Sequence, residues 1–446
     1  MVAPHVLDAS ANWDHQARGR EASRQYRAAG VRTLVSVAPP AAGKSRMMFQ
    51  DANDELLAGG SVTIAVHRNL LLEQMRQQLV AAGIPHGLIT ANDELDLSQP
   101  LQLASIHTLY SRAVKAGSMD LPRSSLVLLD EAHANRSDVA RSLIFGAVGG
   151  GLSFDGWLAQ GSFVHGFTGT PVNLGGLYEQ INQFTSYKEL RDCKAHAMIR
   201  TYGPEEIDVA DLKTDDEGEY SGRELEKRSF KIWGSVYEWW QKLNPFAEPA
   251  LLFGPSAPGA RWFAHEFVKR GVTAGYIGAD CVLLPGHLPC GTLCLDQYPS
   301  TTEHRQAALE LSQNGGIKVL CNRFVLREAI DMPWIKHGIA ATVFGGLATY
   351  LQSVGRIQRY FDGSDKIWQC HGGSFHLHGS PNAERHWELG CTNKSLAKLR
   401  KAAVERADNA QDVEGIQCPK CRGWRSRGPA CPHCGHMHKR SVRFVR

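Results

Sequence analysis

The stretch TLVSVAPPAAGKS, residues 33–45, decides the predicted fold. It opens with a short apolar, β-branched run, which is typical of a buried parallel strand. Gly43, Lys44 and Ser45 follow where a helix is expected to begin, and backbone N–H groups at a helix N-terminus bind phosphate. In such a loop Lys44 reaches the terminal phosphates and Ser45 can ligate Mg²⁺. Taken alone, this motif leaves the phosphate loop undecided.

A second motif strengthens the prediction. The run SLVLL (125–129) ends in Asp130-Glu131-Ala132-His133. The carboxyl edge of a parallel sheet is where α/β proteins bind ligands. There Asp130 can hold Mg²⁺ through water, and Glu131 can orient and deprotonate an attacking water. A helix cap would explain Asp130 alone but not the whole motif downstream of the glycine-lysine-serine loop, so the pair predicts an ATP-hydrolysing site.

Further apolar runs predict more strands of the same kind. Helix-like stretches, including 70–82 and 261–270, lie between them. The alternation favours an α/β, doubly wound parallel architecture. A charged segment at 203–245 is predicted to bridge two such domains. The runs are VTIAV (62–66), LQLASI (101–106), FVHGFTG (163–169), ALLFGPS (250–256), IKVLCN (317–322) and ATVFGG (341–346).

Length and composition agree with a multidomain globular protein. The chain has 446 residues, 43% hydrophobic and 21% charged, with a net charge of +4. A core of this size suits two or three domains. We expect a cytoplasmic protein, since no apolar run approaches the roughly 20 residues of a membrane span and the start does not resemble a signal peptide. The eleven cysteines are then poor candidates for disulfides.

The motifs, taken in order, resemble those of superfamily-two helicases. After the two motifs above come Thr168-Gly169-Thr170-Pro171 and QSVGRIQR (352–359). The resemblance implies two tandem RecA-like domains with ATP in the cleft between them. It also implies that Gln16, in Asp14-His15-Gln16, reads adenine and that His133 belongs to the nucleotide site.

The resemblance extends to the second half of the chain. Asp331 and Gln352 are implied to face the nucleotide, and Arg356 and Arg359 to act as arginine fingers. Such an arginine accelerates related NTPases by about 10³–10⁵. The alternative is two surface arginines forming ion pairs, because residues at i and i+3 share a helix face.

Three segments resemble the strand-contacting parts of these helicases. They are AVHRNLLLEQ (65–74), ASIHTLYSR (104–112) and the motif Arg327–Pro333. The nucleic-acid contacts implied are His67, Arg68, Thr108 and Arg327.

A cysteine module closes the chain. CPKC (418–421) and CPHC (431–434) provide Cys418, Cys421, Cys431 and Cys434 as ligands for one Zn²⁺. Residues 415–446 contain eight Lys and Arg but no Asp or Glu. Trp424 and Arg425 are predicted to contact nucleic acid, since basic groups beside an aromatic suit phosphate contact and base stacking. A purely structural or protein-docking ribbon is the alternative.

The tail narrows the resemblance to RadD-like bacterial DNA-repair helicases and their phage relatives. It rests on HGGSFHLHGSPNAERHWELG (371–390) ahead of the ribbon, and on LYEQINQFTSYKELRD (177–192). The implied protein is a monomeric DNA helicase or translocase using ATP, Mg²⁺ and Zn²⁺. Single-stranded or branched DNA is the implied track, with a single-strand-binding or recombination protein as a partner, in bacterial or phage-infected cytoplasm. An RNA helicase, a restriction-system motor subunit and a hydrolysis-silent nucleic-acid-binding regulator stay open as alternatives.

The predicted domains are a first RecA-like domain (1–202), a linker (203–245), a second RecA-like domain (246–390) and a basic helix with the ribbon (391–446). The chain departs from the family pattern at Ala38, Pro40, Ala41, Gly169 and Ala329, which puts the turnover rate in doubt more than the class. The stretch 281–300 looks like an inserted loop. Its Cys281, His287, Cys290 and Cys294 have irregular spacing, so we expect incidental residues rather than a second metal site.

Overall fold

Helices and strands alternate along the chain, as the apolar runs predict. In the computed structural model the described residues are 7–8, 12–67, 69–136, 138–149, 152–174, 176–209, 211–215, 219–327, 332–392, 416–426 and 428–437. They form two compact units. The first comprises the described residues up to Cys193 with Glu384–Thr392, and the second comprises Lys194–Ala383 with the described residues of the C-terminal segment.

The first unit holds the following elements. Its strands are β1 (Thr33–Val37), β2 (Val62–Val66), β3 (Gly87–Ile89), β4 (Leu101–Ser105), β5 (Leu126–Leu129), β6 (Ala147–Gly149), β7 (Leu152–Phe154), β8 (Phe163–Thr168) and β9 (Gln180–Gln183). Its α-helices are α1 (Asp14–Ala28), α2 (Lys44–Leu57), α3 (Asn69–Ala81), α4 (Ile106–Leu109), α5 (Asp138–Phe145) and α6 (Tyr187–Asp192). A π-helical turn spans Tyr110–Lys115 and a 3₁₀ turn spans Ala132–Arg136.

The second unit holds the remaining elements. Its strands are β10 (Ile199–Tyr202), β11 (Ala250–Phe253), β12 (Ala274–Ile277), β13 (Cys281–His287), β14 (Leu293–Pro299), β15 (Val319–Asn322), β16 (His337–Ala340), β17 (Lys366–Cys370), β18 (Ile416–Gln417) and β19 (Trp424–Arg425). Its α-helices are α7 (Gly222–Lys231), α8 (Trp233–Leu243), α9 (Ala257–Lys269), α10 (Thr302–Gln313), α11 (Leu347–Gly355) and α12 (Ser374–His378), and a 3₁₀ turn spans Val325–Arg327.

The first unit is built on a seven-stranded parallel sheet in the order β3-β4-β2-β5-β8-β1-β9. Every residue of β1, β2, β4, β5 and β8 is buried. A strand buried on both faces carries mainly apolar side chains, which is why these strands read as apolar runs with only a few polar residues. The carboxyl ends of all seven strands therefore lie along one edge.

The second unit has a mixed eight-stranded sheet in the order β10-β17-β16-β11-β15-β12-β13-β14. The first six strands in this order, β10 through β12, pair in parallel. Strands β13 and β14 form an antiparallel hairpin at the edge of the sheet. Together the two sheets and the C-terminal cysteine module confirm the predicted class, namely tandem RecA-like α/β domains with a small ribbon.

Two local predictions were wrong. The stretch 281–300 is not a loop but the hairpin of β13 and β14, which extends the sheet. The run at 341–346 is not a strand, since β16 lies just before it and pairs with β11 and β17. In the first case Pro285 and Gly286 hide the strand pattern, and in the second the apolar run continues past the strand into buried loop.

The charged segment at 203–245 contributes to the second unit rather than only joining two domains. Helices α7 and α8 bury Leu225, Trp233, Val236 and Trp240 in the same hydrophobic cluster as residues of α9. Strand β10, placed in the first domain by the predicted bounds, pairs with β17 in the second sheet. Residues 384–390, placed in the second domain, and 391–392, placed in the C-terminal module, belong to the first unit.

Within the described residues, none of the helices has both the length and the apolar character that crossing a membrane requires.

Candidate functional site

Three loops of the first unit meet at one place because their strands are neighbours. Strand β8 lies between β5 and β1 and pairs in parallel with both. The glycine-lysine-serine loop follows β1, the Asp130–His133 motif follows β5, and the Thr168–Pro171 motif follows β8. Parallel strands end at the same sheet edge, so the three loops share the edge where α/β sheets bind ligands.

The phosphate loop has a left-handed turn at two residues. Gly43 is the N-cap of α2 with φ 82°, a conformation that glycine adopts freely. Ala41 has φ 67°, which is strained for a residue with a Cβ. The Lys44 Nζ donates to the carbonyl oxygens of Ala38 and Pro39 at 3.0 and 3.2 Å. The loop therefore curls around the lysine that is predicted to bind phosphate, and Ser45 lies half-buried in the first turn of α2.

Helix α1 fixes this loop through two side chains. The Gln16 Nε2 donates to the Ala42 carbonyl at 3.0 Å, and His15 Nε2 lies 3.1 Å from the same oxygen. Gln16 is 3% exposed, and its Nε2 lies so close to Gly43 that a Cβ there would clash with it. The residue predicted to read adenine thus contacts the phosphate loop. His15 was not assigned a role from the sequence, although it adjoins Gln16.

An open cavity of about 590 Å³ borders helix α1. It is lined by Arg18, Gly19, Ala22 and residues 182–186, with Glu189 and His386.

The acidic motif is held in an unusual backbone conformation. Asp130 is buried, and its Oδ1 accepts from the N–H of Glu131 at 2.9 Å. Glu131 has φ 46°, a strained value of the kind that clusters at functional sites. Its Oε2 is buried without a hydrogen bond to the described residues, and lies 3.3 Å from His133 Nδ1 without hydrogen-bond geometry. A buried carboxylate oxygen of this kind fits a group that accepts a proton or binds an ordered ligand.

His133 joins the acidic motif to the loop after β8. Its Nδ1 lies 2.9 Å from Thr168 Oγ1, which also accepts from the N–H of Thr170 at 3.1 Å. A Cβ built on Gly169 would lie 3.5 Å from the Ala38 carbonyl and 3.8 Å from Lys44 Nζ. The loop after β8 therefore touches the phosphate loop. Since these are ordinary contact distances, the alanine more usual at this position would also fit.

Two of the predicted strand-contacting residues, His67 and Thr108, directly follow neighbouring strands of the first sheet. His67 follows β2 and Thr108 lies in α4, directly after β4. The rings of His67 and His107 are 5.5 Å apart, so the two segments are in contact. Arg68 and Asp331 lie outside the described residues. Arg327 ends a 3₁₀ turn, and only its backbone is described.

Helix α11 of the second unit carries Gln352, which is buried. The helix ends at Gly355, so Arg356 is its C-cap and Arg359 lies beyond it in a bridge with His196. Both arginines are half-buried. The argument that they share one helix face was wrong, because the helix ends before either of them.

The four ribbon cysteines converge. Cys418, Cys421, Cys431 and Cys434 place their sulfurs within 4.8 Å of one another. The Sγ–Sγ distances are 3.8 Å for Cys418–Cys434 and 3.7 Å for Cys421–Cys431. Four thiolates bound tetrahedrally at about 2.3 Å from zinc would have sulfurs about 3.8 Å apart. The residues therefore fit a structural Zn²⁺. His433 is directed elsewhere, with its Nε2 2.8 Å from the Trp424 carbonyl.

Trp424 and Arg425 are predicted to contact nucleic acid, but both side chains are buried. Trp424 is 7% exposed and stacks on Phe375, with ring centroids 4.0 Å apart and planes 10° apart. Arg425 is 3% exposed and its Nη1 donates to the Ser426 and Gly428 carbonyls. Their positions favour the alternative, a ribbon that packs on the second unit.

The other cysteines form no second cluster within the described residues. Cys281 lies at the base of the β13–β14 hairpin, opposite Pro299, whereas Cys294 pairs with Gly286 near its tip. Cys281 and Cys294 therefore lie at opposite ends of the hairpin.

Comparisons with known proteins show the same fold. No family model matches the chain. The "51.5 kDa protein" of Lactococcus phage (isolate 7-9) is 23% identical over 406 residues, which cover 89% of this chain and 76% of that protein. A fragment assigned as the HsdR subunit of a type I restriction enzyme from Vibrio vulnificus YJ016 has a TM-score of 0.57 at 14% identity, over 82% of this chain and 65% of that one.

Two DNA-bound structures have the fold as well. They are the ATP-dependent type ISP restriction-modification enzyme LlaBIII (TM-score 0.54, 11% identity) and the DUF1998 helicase MrfA (TM-score 0.50, 14% identity). The alignments cover 89% and 82% of this chain but only 30% and 48% of those chains. This chain thus spans less than two thirds of each of the three solved chains. The likenesses show that its two units have the fold of helicase motors.

Proposed function

We propose that the chain is an ATP-dependent DNA helicase or translocase. The observation that carries the proposal is the meeting of three motif loops at the ends of β1, β5 and β8, with the orphaned Glu131 carboxylate oxygen among them. A strained acidic residue beside a phosphate loop suits phosphoryl transfer to water.

The proposal assigns a role to each residue of the site. Lys44 binds the terminal phosphates, and Glu131 orients the attacking water and takes its proton while the bond to the leaving ADP breaks. Ser45 and Asp130 would hold Mg²⁺, which neutralises charge on the phosphates. His133 holds Thr168, and Gln16 contacts both base and loop. In the same proposal Asp331, Gln352, Arg356 and Arg359 of the second half complete the nucleotide site during turnover.

The preference for DNA rests on two features. LlaBIII and MrfA, which share the fold, are bound to DNA in their structures. The segment HRNLLLEQ (67–74) also departs from the strand-contact signature of the common RNA helicases. Within the DNA motors, the tail at 371–390 and the ribbon favour a RadD-like role in repair, recombination or phage replication. We place strand contacts at His67, Arg68, Thr108 and Arg327, and a structural zinc in the ribbon.

ATP hydrolysis by the zinc-loaded chain tests the proposal. It should be measured alone and with single-stranded, duplex and forked DNA and with RNA. We expect one form of DNA to stimulate hydrolysis and Glu131→Gln to abolish the stimulation. Glu94→Gln is the matched control, since Glu94 is exposed in the loop after β3, at the far edge of the sheet. Stimulation by RNA alone would support an RNA helicase, and no hydrolysis with any polymer would support the silent regulator.

A further inference from the structure

The charged cluster between α1 and α2 has no role in the chemistry above. Arg20 of α1 is 5% exposed, and all of its nitrogens donate to α2. Its Nε donates to Asp51 at 2.7 Å, its Nη1 to Gln50 at 3.0 Å and its Nη2 to Asp54 at 2.6 Å. Taking an arginine and an aspartate out of water is costly unless the geometry is good. Packing alone would be served by apolar residues at lower cost.

The position of the cluster suggests what it does. Arg20 lies four residues after Gln16, so the two side chains lie one turn apart on the same face of α1. Helix α2, which carries the partners of Arg20, begins at Lys44. The ion pair therefore joins the helix that carries Gln16 to the helix that carries the phosphate-binding lysine, one turn away from the contact with Ala42.

A second set of contacts holds α1 from the side of the sheet. The Asn182 Nδ2 donates to the Gly19 carbonyl at 2.9 Å and lies 3.1 Å from Ser23 Oγ. It also lies 3.3 Å from Ser36 Oγ of β1, which contacts His165 of β8 at 2.8 Å. Burial lowers the pKa of His165 to about 3, so this part of the network is neutral at physiological pH.

Gly19 shows how closely α1 is docked. A Cβ on this residue would lie 2.8 Å from the Phe184 Cβ and 3.0 Å from the Met47 Cε. The helix can therefore approach its neighbours only because this residue has no side chain. The contacts of Arg20 and Asn182 and the close approach at Gly19 all fix the same turn of α1.

We infer that Arg20, paired with Asp51, is a positioning residue for nucleotide binding: it holds Gln16 against the phosphate loop. This inference rests on the proposed function, since it assigns Arg20 to the binding of ATP. Arg20 does not touch the nucleotide itself. It acts through Gln16, and with it through the Ala42 carbonyl that Gln16 and His15 contact.

A double-mutant cycle measures whether Arg20 and Gln16 act together in nucleotide binding. Removing Arg20 alone would leave Asp51 buried without its cation, so the test variant is Arg20→Met with Asp51→Leu, which removes both charges. We expect it to weaken binding of a non-hydrolysable ATP analogue with Mg²⁺ about tenfold, and we expect Gln16→Ala to have a similar effect. In a chain that already carries Gln16→Ala, the Arg20 and Asp51 substitutions should weaken binding by less than about a further twofold, because the effects of coupled residues are not additive.

A matched control exists on the same two helices. Arg27 of α1 donates to Glu55 of α2 at 2.5 and 3.0 Å, about two turns further along α1 from the loop than Arg20. Arg27→Met with Glu55→Leu removes an equivalent link and should change the dissociation constant by less than about twofold. Gly19→Ala is an independent variant, since it displaces α1 without changing charge, and should behave like the Arg20 variant. It keeps the test decisive if the Arg20 double variant does not fold.

The outcomes separate the inference from the proposed function. A wild-type chain that does not bind the analogue would overturn both. Binding that the Arg20 variant weakens fully even in the Gln16→Ala background would overturn the inference alone, because Arg20 would then act independently of Gln16. An equal loss in the Arg27 control would also overturn it, since any link between the helices would suffice.

Discussion

Replacing Trp424 by alanine distinguishes a packing tryptophan from a base-stacking one. The ring is 7% exposed and lies flat on Phe375, with the His376 ring edge-on at 4.8 Å. A buried tryptophan removes about 150–250 Å² from water. At about 25 cal/mol per Å² this contributes about 4–6 kcal/mol. Truncation of buried tryptophans costs about 3–5 kcal/mol in practice. We expect that cost to fall on the local stability of the ribbon.

The assay is the rate at which a colorimetric chelator removes zinc. A loss of about 3–5 kcal/mol of local stability raises the population of the locally opened ribbon more than about 100-fold. Zinc release should therefore accelerate strongly. Trp424→Phe keeps a ring on Phe375 and should release zinc at close to the wild-type rate. A base-stacking residue would instead lose about 1–3 kcal/mol of affinity for single-stranded DNA. Lost DNA affinity with an unchanged rate of zinc release would refute the packing argument.

Four further predictions concern the ribbon, the charged cluster between α1 and α2, and the loops of the proposed nucleotide site. Cys421→Ser should lower the bound zinc, measured by atomic absorption, because three thiolates hold the ion less tightly than four. Burial raises the pKa of Asp51 from 3.8 to about 6. The native state therefore binds more protons than the unfolded state between pH 4 and 6, and stability falls as pH rises. Asp51→Asn should remove up to about 3 kcal/mol of this dependence in thermal unfolding. Ala41→Gly should relieve about 1–2 kcal/mol of backbone strain, offset by about 0.5–1 kcal/mol of chain entropy. Gly169→Ala should leave ATPase activity unchanged.

The sequence predicts the first sheet well because its strands are buried on both faces. The runs at β1, β2, β4, β5 and β8 are buried throughout and mostly apolar, so their pattern follows from burial. The order of the motifs then predicts which edge of the sheet binds nucleotide. The sequence could not predict the hairpin of β13 and β14. Its outer strand is half-exposed, and a proline and a glycine interrupt its partner.

The errors at the C-terminal end have a different cause. Trp424 lies among arginines in the sequence, and local composition favours a nucleic-acid contact. Its partner Phe375 lies 49 residues earlier, in α12. Only the fold brings the two rings together, because no periodicity or spacing links them. The same limit applies to Arg20 and Asp51, since their pairing depends on how α1 docks on α2.

The order of strands in the first sheet indicates how a nucleotide could affect a bound strand. In the proposed site, the loops of β8 and β1 hold residues assigned to the nucleotide, and those of β2 and β4 hold the proposed strand contacts His67 and Thr108. Strand β5 lies between the two groups, and its loop carries Glu131 and His133. His133 already contacts Thr168 on the nucleotide side. If the chain binds nucleotide as proposed, we expect a shift of the strained turn at Glu131 to act first on the loop of β2, because β2 and β5 are paired neighbours in the sheet.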